Sequence, residues 1–493
     1  MSAFGLVLIA AVAALTLVTG LPAYIVLLIG SVVGALAGIA SGMLNVDILR
    51  GVAARLINLL ESDLLQALPL FLLMGALLNR LPMADALFKC GAALFGRTRA
   101  APVMSGFLLG GLLGPMNGSV GASVGALART LGPRLTQSGV TAPMREAVIA
   151  VSGTLGVVVP PSLVLILLGD SMLAAHTLAL NTTKRMDRVI NTQDLMRGAL
   201  LPAAIFMLVC LLIAAITARR GTTSARRERP TAKEILLALA SVTFLILLLG
   251  GVATGRFYAV EAAAMGAVAL FTWAAATGKL GGGTLSTTLS QVFIGTGTLF
   301  APLLAATTFT LVLRLLGTDK LIESWIAALP GGQAAAVIVI LLSLAVLAFA
   351  LDAFEIIFVA VPILVPALLI RVDDAVWVGV LVLLVLQTSF LLPPMGYAWV
   401  LTRASMPDRA AASETLRALL PFLGGQMAVL ALVVAVPAIV HVFDPPGSRM
   451  RGPPEGAKPA DVDAMLRQLP PPPQFGVPGI PAAPIVPAPP STK

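Results

Sequence analysis

Apolar runs separated by short polar breaks fill this chain almost to its end. Residues 1–46 contain no charged side chain, and Asp47 is the first. The runs are solidly apolar rather than alternating, which argues against the strands of a membrane barrel. Each lies near the roughly 20 residues that a spanning helix needs. A helix satisfies its own backbone in hydrocarbon, so the pattern predicts an all-α polytopic membrane protein. Apolar helices are expected at 4–19, 24–40, 67–78, 101–114, 200–216, 234–250, 258–277, 284–316, 334–350 and 420–442. Segment 45–61 carries Arg50 and Arg55 and reads as a helix at the interface, while 85–95 and 321–328 read as short pieces.

Two stretches interrupt the pattern in the same way. The first contains Asn117-Gly118-Ser119, Pro133 and Gly153-Thr154-Leu155-Gly156 running into Pro160-Pro161-Ser162. The second contains Asp352, Pro366 and Gln387-Thr388-Ser389 running into Pro393-Pro394 and Gly396. Pro133 and Pro366 are 233 positions apart, and so are the two Pro-Pro steps, which points to an internal duplication. Proline removes a backbone donor and clashes one turn back, so two in a row end a helix. Such backbone is tolerated at membrane depth only when buried in protein or lining a cavity. The freed carbonyls suit a hard cation and the nearby half-helix N-termini favour an anion, as at the sites of discontinuous-helix transporters. Two re-entrant hairpins are therefore expected, at about 147–168 and 377–401.

Side-chain oxygens at these breaks come from Asn117, Ser119, Thr154, Thr388, Ser389, Gln387 and Asp352, and the 233-residue offset pairs Ser119 with Asp352. The alternative for each is a hydrogen-bonding residue that braces a kink. Asp352 and Glu355 are intramembrane acids, hence functional candidates, or helix-start acids stabilised by the dipole. Thr154, Ser162, Gln387 and Gly396 are taken as the substrate-facing set.

Composition narrows the class. Of 493 residues 58% are hydrophobic and 11% charged, with mean hydropathy +0.98, against about 25% charged in a soluble domain. The net charge of +9 sits in short loops between runs, the ordinary topology signal rather than a nucleic-acid surface. Cys90 and Cys210 give no disulfide or metal framework. Segment 218–233 is strongly basic and reads as a cytoplasmic linker between halves. From 444 onward Pro, Gly and Ala dominate, as in an extended or disordered tail. Gly106, Gly110 and Gly114 are spaced for close helix packing. Gly121-Ala-Ser123-Val-Gly125 matches a nucleophile elbow in letters only, because that motif needs an α/β sheet. Ser123 reads as a packing residue, and a membrane hydrolase built on it is the reading of another class. A passive channel is a third. No Walker-type phosphate loop is present.

With these residues in view, the chain resembles the large membrane subunit (DctM-like) of tripartite ATP-independent periplasmic (TRAP) transporters. The resemblance runs over about 60–440, through PLFLLMGALL (69–78), GTLGVVVPPS (153–162), VATGRFYAVEAAAMGAV (252–268, with Glu261), LDAFEIIFVAVPILVP (351–366) and LQTSFLLPPMGYA (386–398). It implies an elevator-type secondary transporter of two inverted repeats in the inner membrane, not an enzyme. It also implies sodium coupling, a small four-helix membrane subunit (DctQ-like), a periplasmic substrate-binding protein and an organic carboxylate substrate. One sodium site would use Asn117 and Ser119 with carbonyls of Gly156, Val159 and Pro161. The second would use Asp352, Thr388, Ser389, Leu392 and Pro394. A stand-alone sodium-coupled carboxylate carrier, needing no binding protein, is the alternative. The expected layout is N-terminal scaffold helices (1–60), a first repeat (61–217), the linker (218–233), a second half (234–443) and the tail (444–493).

Overall fold

The computed structural model describes residues 2–42, 50–61, 63–96, 98–117, 119–160, 162–185, 187–218, 230–281, 283–392 and 396–445. Pro161, Pro394, most of the linker and nearly all of the tail lie outside the described residues, as does the side chain of Asn117. The described residues form helices and no strand. The first half holds α1 (Ser2–Thr19), α2 (Ala23–Ala40), α3 (Arg50–Leu60), α4 (Asp63–Leu78), α5 (Met83–Leu94), α6 (Ala101–Leu113), α7 (Val120–Gln137), α8 (Ala142–Val158), α9 (Leu163–Thr183) and α10 (Thr192–Ala218). The second holds α11 (Ala232–Ala253), α12 (Ala259–Ala276), α13 (Thr284–Leu315), α14 (Thr318–Ala328), α15 (Gly332–Leu347), α16 (Ala353–Glu355), α17 (Val361–Leu369), α18 (Ala375–Ser389), α19 (Tyr397–Ser405) and α20 (Ala412–Ala435). Seven helices among the described residues are long and apolar enough to cross a membrane. Helices α4 and α5, apolar enough together, are bent by 66° to each other at a short break, the geometry of a broken span or a re-entrant loop. The molecule is a polytopic membrane protein.

The interval of 233 residues reappears in the architecture. Helix α7 starts at Val120 and α16 at Ala353; α8 starts at Ala142 and α18 at Ala375. Pro133 and Pro366 both lie inside helices.

The chain turns back elsewhere than the Pro-Pro steps suggest. Leu131 of α7 lies beside Gly106 of α6, so these two helices fold back about the tip at Gly114–Ser119. Both lie along α8. Gly106, Gly110 and Gly114 meet Val148, Ser152 and Gly156 in parallel steps of four. On the other side Val124 meets Gly153, and Thr136 accepts from Arg145 (2.6 Å). In the second half α15 touches the π-turn Ile356–Ala360 and α17, placing the corresponding tip at Ala348–Asp352.

The hairpins expected at 147–168 and 377–401 are instead broken helices. Helices α8 and α9 make few contacts with each other, and α18 and α19 do not pack lengthwise. The second arm of each goes to the opposite half: α9 packs on α17, and α19 on α7 and α8. The physical reason is that Pro-Pro removes donors and stops a helix without specifying the direction in which the chain resumes.

The broken helices occupy the centre. The most apolar window of Ala142–Thr183 is 94% buried, against 33% for those of α10 and α20. The freed backbone is thus shielded from lipid by protein, as it must be. Helices α2, α4, α12 and α13 form a second packed group; α14 touches both α13 and α17, while α5 follows α4 in the chain and packs on α6 and α11.

Candidate ion and substrate site

At the first break, α8 ends because Val159 precedes Pro160 and is held extended (φ −76°, ψ 117°), the conformation that proline imposes on its predecessor. Ser162 then starts α9. Its hydroxyl donates to the Val157 carbonyl (2.6 Å) and accepts from the Leu165 amide (3.0 Å). One side chain therefore satisfies an orphan group on each arm.

The hairpin tip is pressed against this break. The backbones of Gly114 and Gly156 touch, and a Cβ on Gly156 would fall 2.4 Å from the Gly114 carbonyl carbon. Ser119 caps α7 by accepting from the Ala122 amide (3.1 Å), and Ser123 donates across the tip to the Gly114 carbonyl (3.1 Å). Ser119, Ser123, Gly153, Gly156 and Ser162 line one cavity with about 10 Å³ open to the centre of a water-sized sphere. A space of that size takes a single water or small ion. Hydroxyls and carbonyls are the donor set a hard cation accepts.

At the second tip Asp352 occupies the position 233 residues from Ser119 and performs the same act, capping α16. Its Oδ1 accepts from the Glu355 amide (3.0 Å), while Glu355 Oε2 accepts from the Asp352 amide (3.1 Å). The helix-start role weighed for both acids is therefore real. Asp352 is exposed and Glu355 only 3% so, and neither has a basic partner among the described residues. An uncompensated carboxylate buried in a membrane protein, as that of Glu355 is, calls for a cation. The π-turn that follows frees carbonyls, and hydroxyls claim them: Ser171 donates to Ile357 (2.8 Å) and Thr310 to Phe358 (2.6 Å). Such turns are frequent at functional sites.

Other expected residues are spoken for. Thr154, Thr388 and Ser389 donate to carbonyls of their own helices, at Val151, Leu384 and Leu386. The Leu392 carbonyl accepts from Gly396, which precedes α19 (2.8 Å). Gln387 differs: it is fully buried, and neither amide atom has a partner among the described residues. A buried unsatisfied amide costs about 1–3 kcal/mol, which a ligand would offset.

The structure thus brings Ser119, Gly156 and Ser162 together. Asp352 makes no described hydrogen bond to Thr388 or Ser389. Tyr397 links the halves, its hydroxyl against Gly121. Neither Tyr397 nor Glu146 was expected. Glu146, fully buried one turn into α8, accepts from the Thr415 hydroxyl (2.7 Å) and the Ala410 amide (2.8 Å), with Arg403 at 3.5 Å. An acid within an apolar run was the available signal.

The family model of the DctM component of the tripartite ATP-independent periplasmic transporter matches residues 9–439. The chain belongs to this family. Among curated TRAP relatives is the C4-dicarboxylate large permease protein DctM of Pseudomonas aeruginosa. It is 25% identical over 418 residues, which are 80% of this chain and 89% of the relative. The Rhodobacter capsulatus permease of the same name is 24% identical over 404 residues, 79% and 88% of the two chains. Among solved structures, the YdaH transporter of Alcanivorax borkumensis overlays with a TM-score of 0.49 at 13% identity, covering 80% of this chain and 89% of that one. These TRAP relatives are permease subunits, not enzymes. Ser123 accordingly stands as a tip-bracing residue, in keeping with its bond to Gly114.

Proposed function

We propose that the chain is the large permease subunit of a sodium-coupled importer of small dicarboxylates in the inner membrane. It would work with a small membrane subunit and a periplasmic binding protein, as the tripartite family name implies. The observation that carries the reading is the repetition of one device. In each half a hairpin tip caps a helix at the 233-residue spacing, at Ser119 and at Asp352, beside a broken helix. The relatives named for C4-dicarboxylates supply the substrate class.

In this reading one sodium ion is held at the first tip by Ser119 and Asn117 with carbonyls of Gly156, Val159 and Pro161. A second lies near Asp352, with Thr388, Ser389 and the carbonyls of Leu392 and Pro394. Gln387, with Thr154, Ser162 and Gly396, lines the substrate position between them. Sodium neutralises Asp352 and lets a carboxylate enter beside it. The exchange of α9 and α19 between halves makes the hairpins and broken helices one body, consistent with inverted repeats. That body slides as an elevator against α2, α4, α12 and α13, with α5 and α14 as the connecting arms.

The test is uptake of labelled succinate into proteoliposomes holding the chain and its small subunit, with and without a sodium gradient and the cognate binding protein. Accumulation requiring both is the expected result. Accumulation with sodium alone would indicate a stand-alone carrier, and flux indifferent to sodium would remove the coupling.

A further inference from the structure

A second, larger cavity lies along α7, between its C-terminal half and the bend joining α4 to α5. It has about 530 Å³ open to the centre of a water-sized sphere, within the roughly 300–1,000 Å³ of small-molecule sites. Asp85, Lys89, Arg129, Thr130, Arg134 and Gln137 line it. Its charges do not cancel. Arg134 is paired with Asp85 (2.5 Å) and Lys89 with Glu234 (2.9 Å), while Arg129 has no acidic partner among the described residues. An open guanidinium beside hydroxyl and amide groups is the chemistry that recognises a carboxylate.

Two features tie this cavity to transport. Ser119 and Ser123 line the small ion cavity; Ala126, Thr130 and Gln137 follow at helical steps on the same face of α7 and line the large one. Ala126 is seven residues from Ser119, about 10 Å along the axis. The bond from Lys89 to Glu234 also sets the cavity beside the first turn of α11, the helix that follows in sequence the basic stretch 218–233 that the positive-inside rule assigns to the cytoplasm.

We propose that this cavity is a second binding site for a small organic dicarboxylate, anchored by Arg129 on the cytoplasmic face, where the substrate pauses after leaving the ion site. The inference rests on the carboxylate-importer reading. It assigns the cavity its own, sodium-independent affinity.

The test is equilibrium binding of labelled succinate to the full chain with its small subunit, held in nanodiscs of neutral phosphatidylcholine. Wild type is expected to bind one portion of succinate only with sodium and another without it. Arg129→Gln should weaken the sodium-independent portion about tenfold, with Arg129→Lys recovering part of it. Ser119→Ala should shift the sodium-dependent portion to higher sodium and leave the other unchanged. Equal sodium-free binding by wild type and Arg129→Gln overturns the proposal, as does wild type that binds nothing without sodium. An effect of Arg129→Gln that appears only in discs containing phosphatidylglycerol overturns it in favour of an acidic lipid headgroup. Wild type that binds no succinate even with sodium would sink the carboxylate reading, and this inference with it.

Discussion

Gly114 and Gly156 leave no space for a side chain where they cross. Alanine at either place forces backbone apart, at a cost of about 1–3 kcal/mol. Gly156→Ala should melt several degrees lower than wild type and lose the ion site, whereas Gly297→Ala, with open space around its position, should melt like wild type. Ser162→Ala strands the Val157 carbonyl and the Leu165 amide together. A loss of about 1–3 kcal/mol is expected, read as lower thermal stability and weaker sodium binding. At this scale much was legible in the sequence. The 233-residue offset paired Ser119 with Asp352, and the structure finds both doing the same job. The hydroxyls of Thr154, Thr388 and Ser389 were less legible, because a threonine or serine in a helix reads alike whether it serves a ligand or the preceding turn.

Among the helices, boundaries followed from hydrophobic runs and Pro, but direction did not. The Pro-Pro steps announced a break without saying whether the chain reverses there. The actual reversal at Gly114–Ser119 was marked only by a short polar interruption, and the spaced glycines of α6, read as plain packing, turn out to set the tip on Gly156. Glu146 was also passed over, since its partners lie more than 250 residues away. It joins the start of α8 to the loop between α19 and α20. Glu146→Ala leaves Thr415 and the Ala410 amide unpartnered in a buried place and should cost about 2–5 kcal/mol. Glu146→Gln should cost less. Thermal unfolding of the purified variants compares the two.

At the level of the whole molecule, the proposed elevator slides at the contact where Thr310 and Arg314 of α13 donate to the Phe358 and Pro362 carbonyls (2.6 and 2.9 Å). A chain lacking Cys90 and Cys210 and carrying Thr310→Cys and Phe358→Cys should stop transporting when joined by a short bifunctional thiol reagent. Its sodium binding should survive. Unchanged transport with a complete cross-link would argue against sliding at this contact.

Two related hairpin tips are proposed to hold the coupling ions, and a sodium titration of succinate binding separates that role from helix capping alone. Relative to wild type, Asp352→Asn and Ser119→Ala should each raise the half-saturating sodium concentration, Asp352→Asn by about tenfold or more because it removes a charged ligand. Thermal unfolding run beside it shows that each variant is folded. Folded variants with the sodium dependence of wild type would contradict the account.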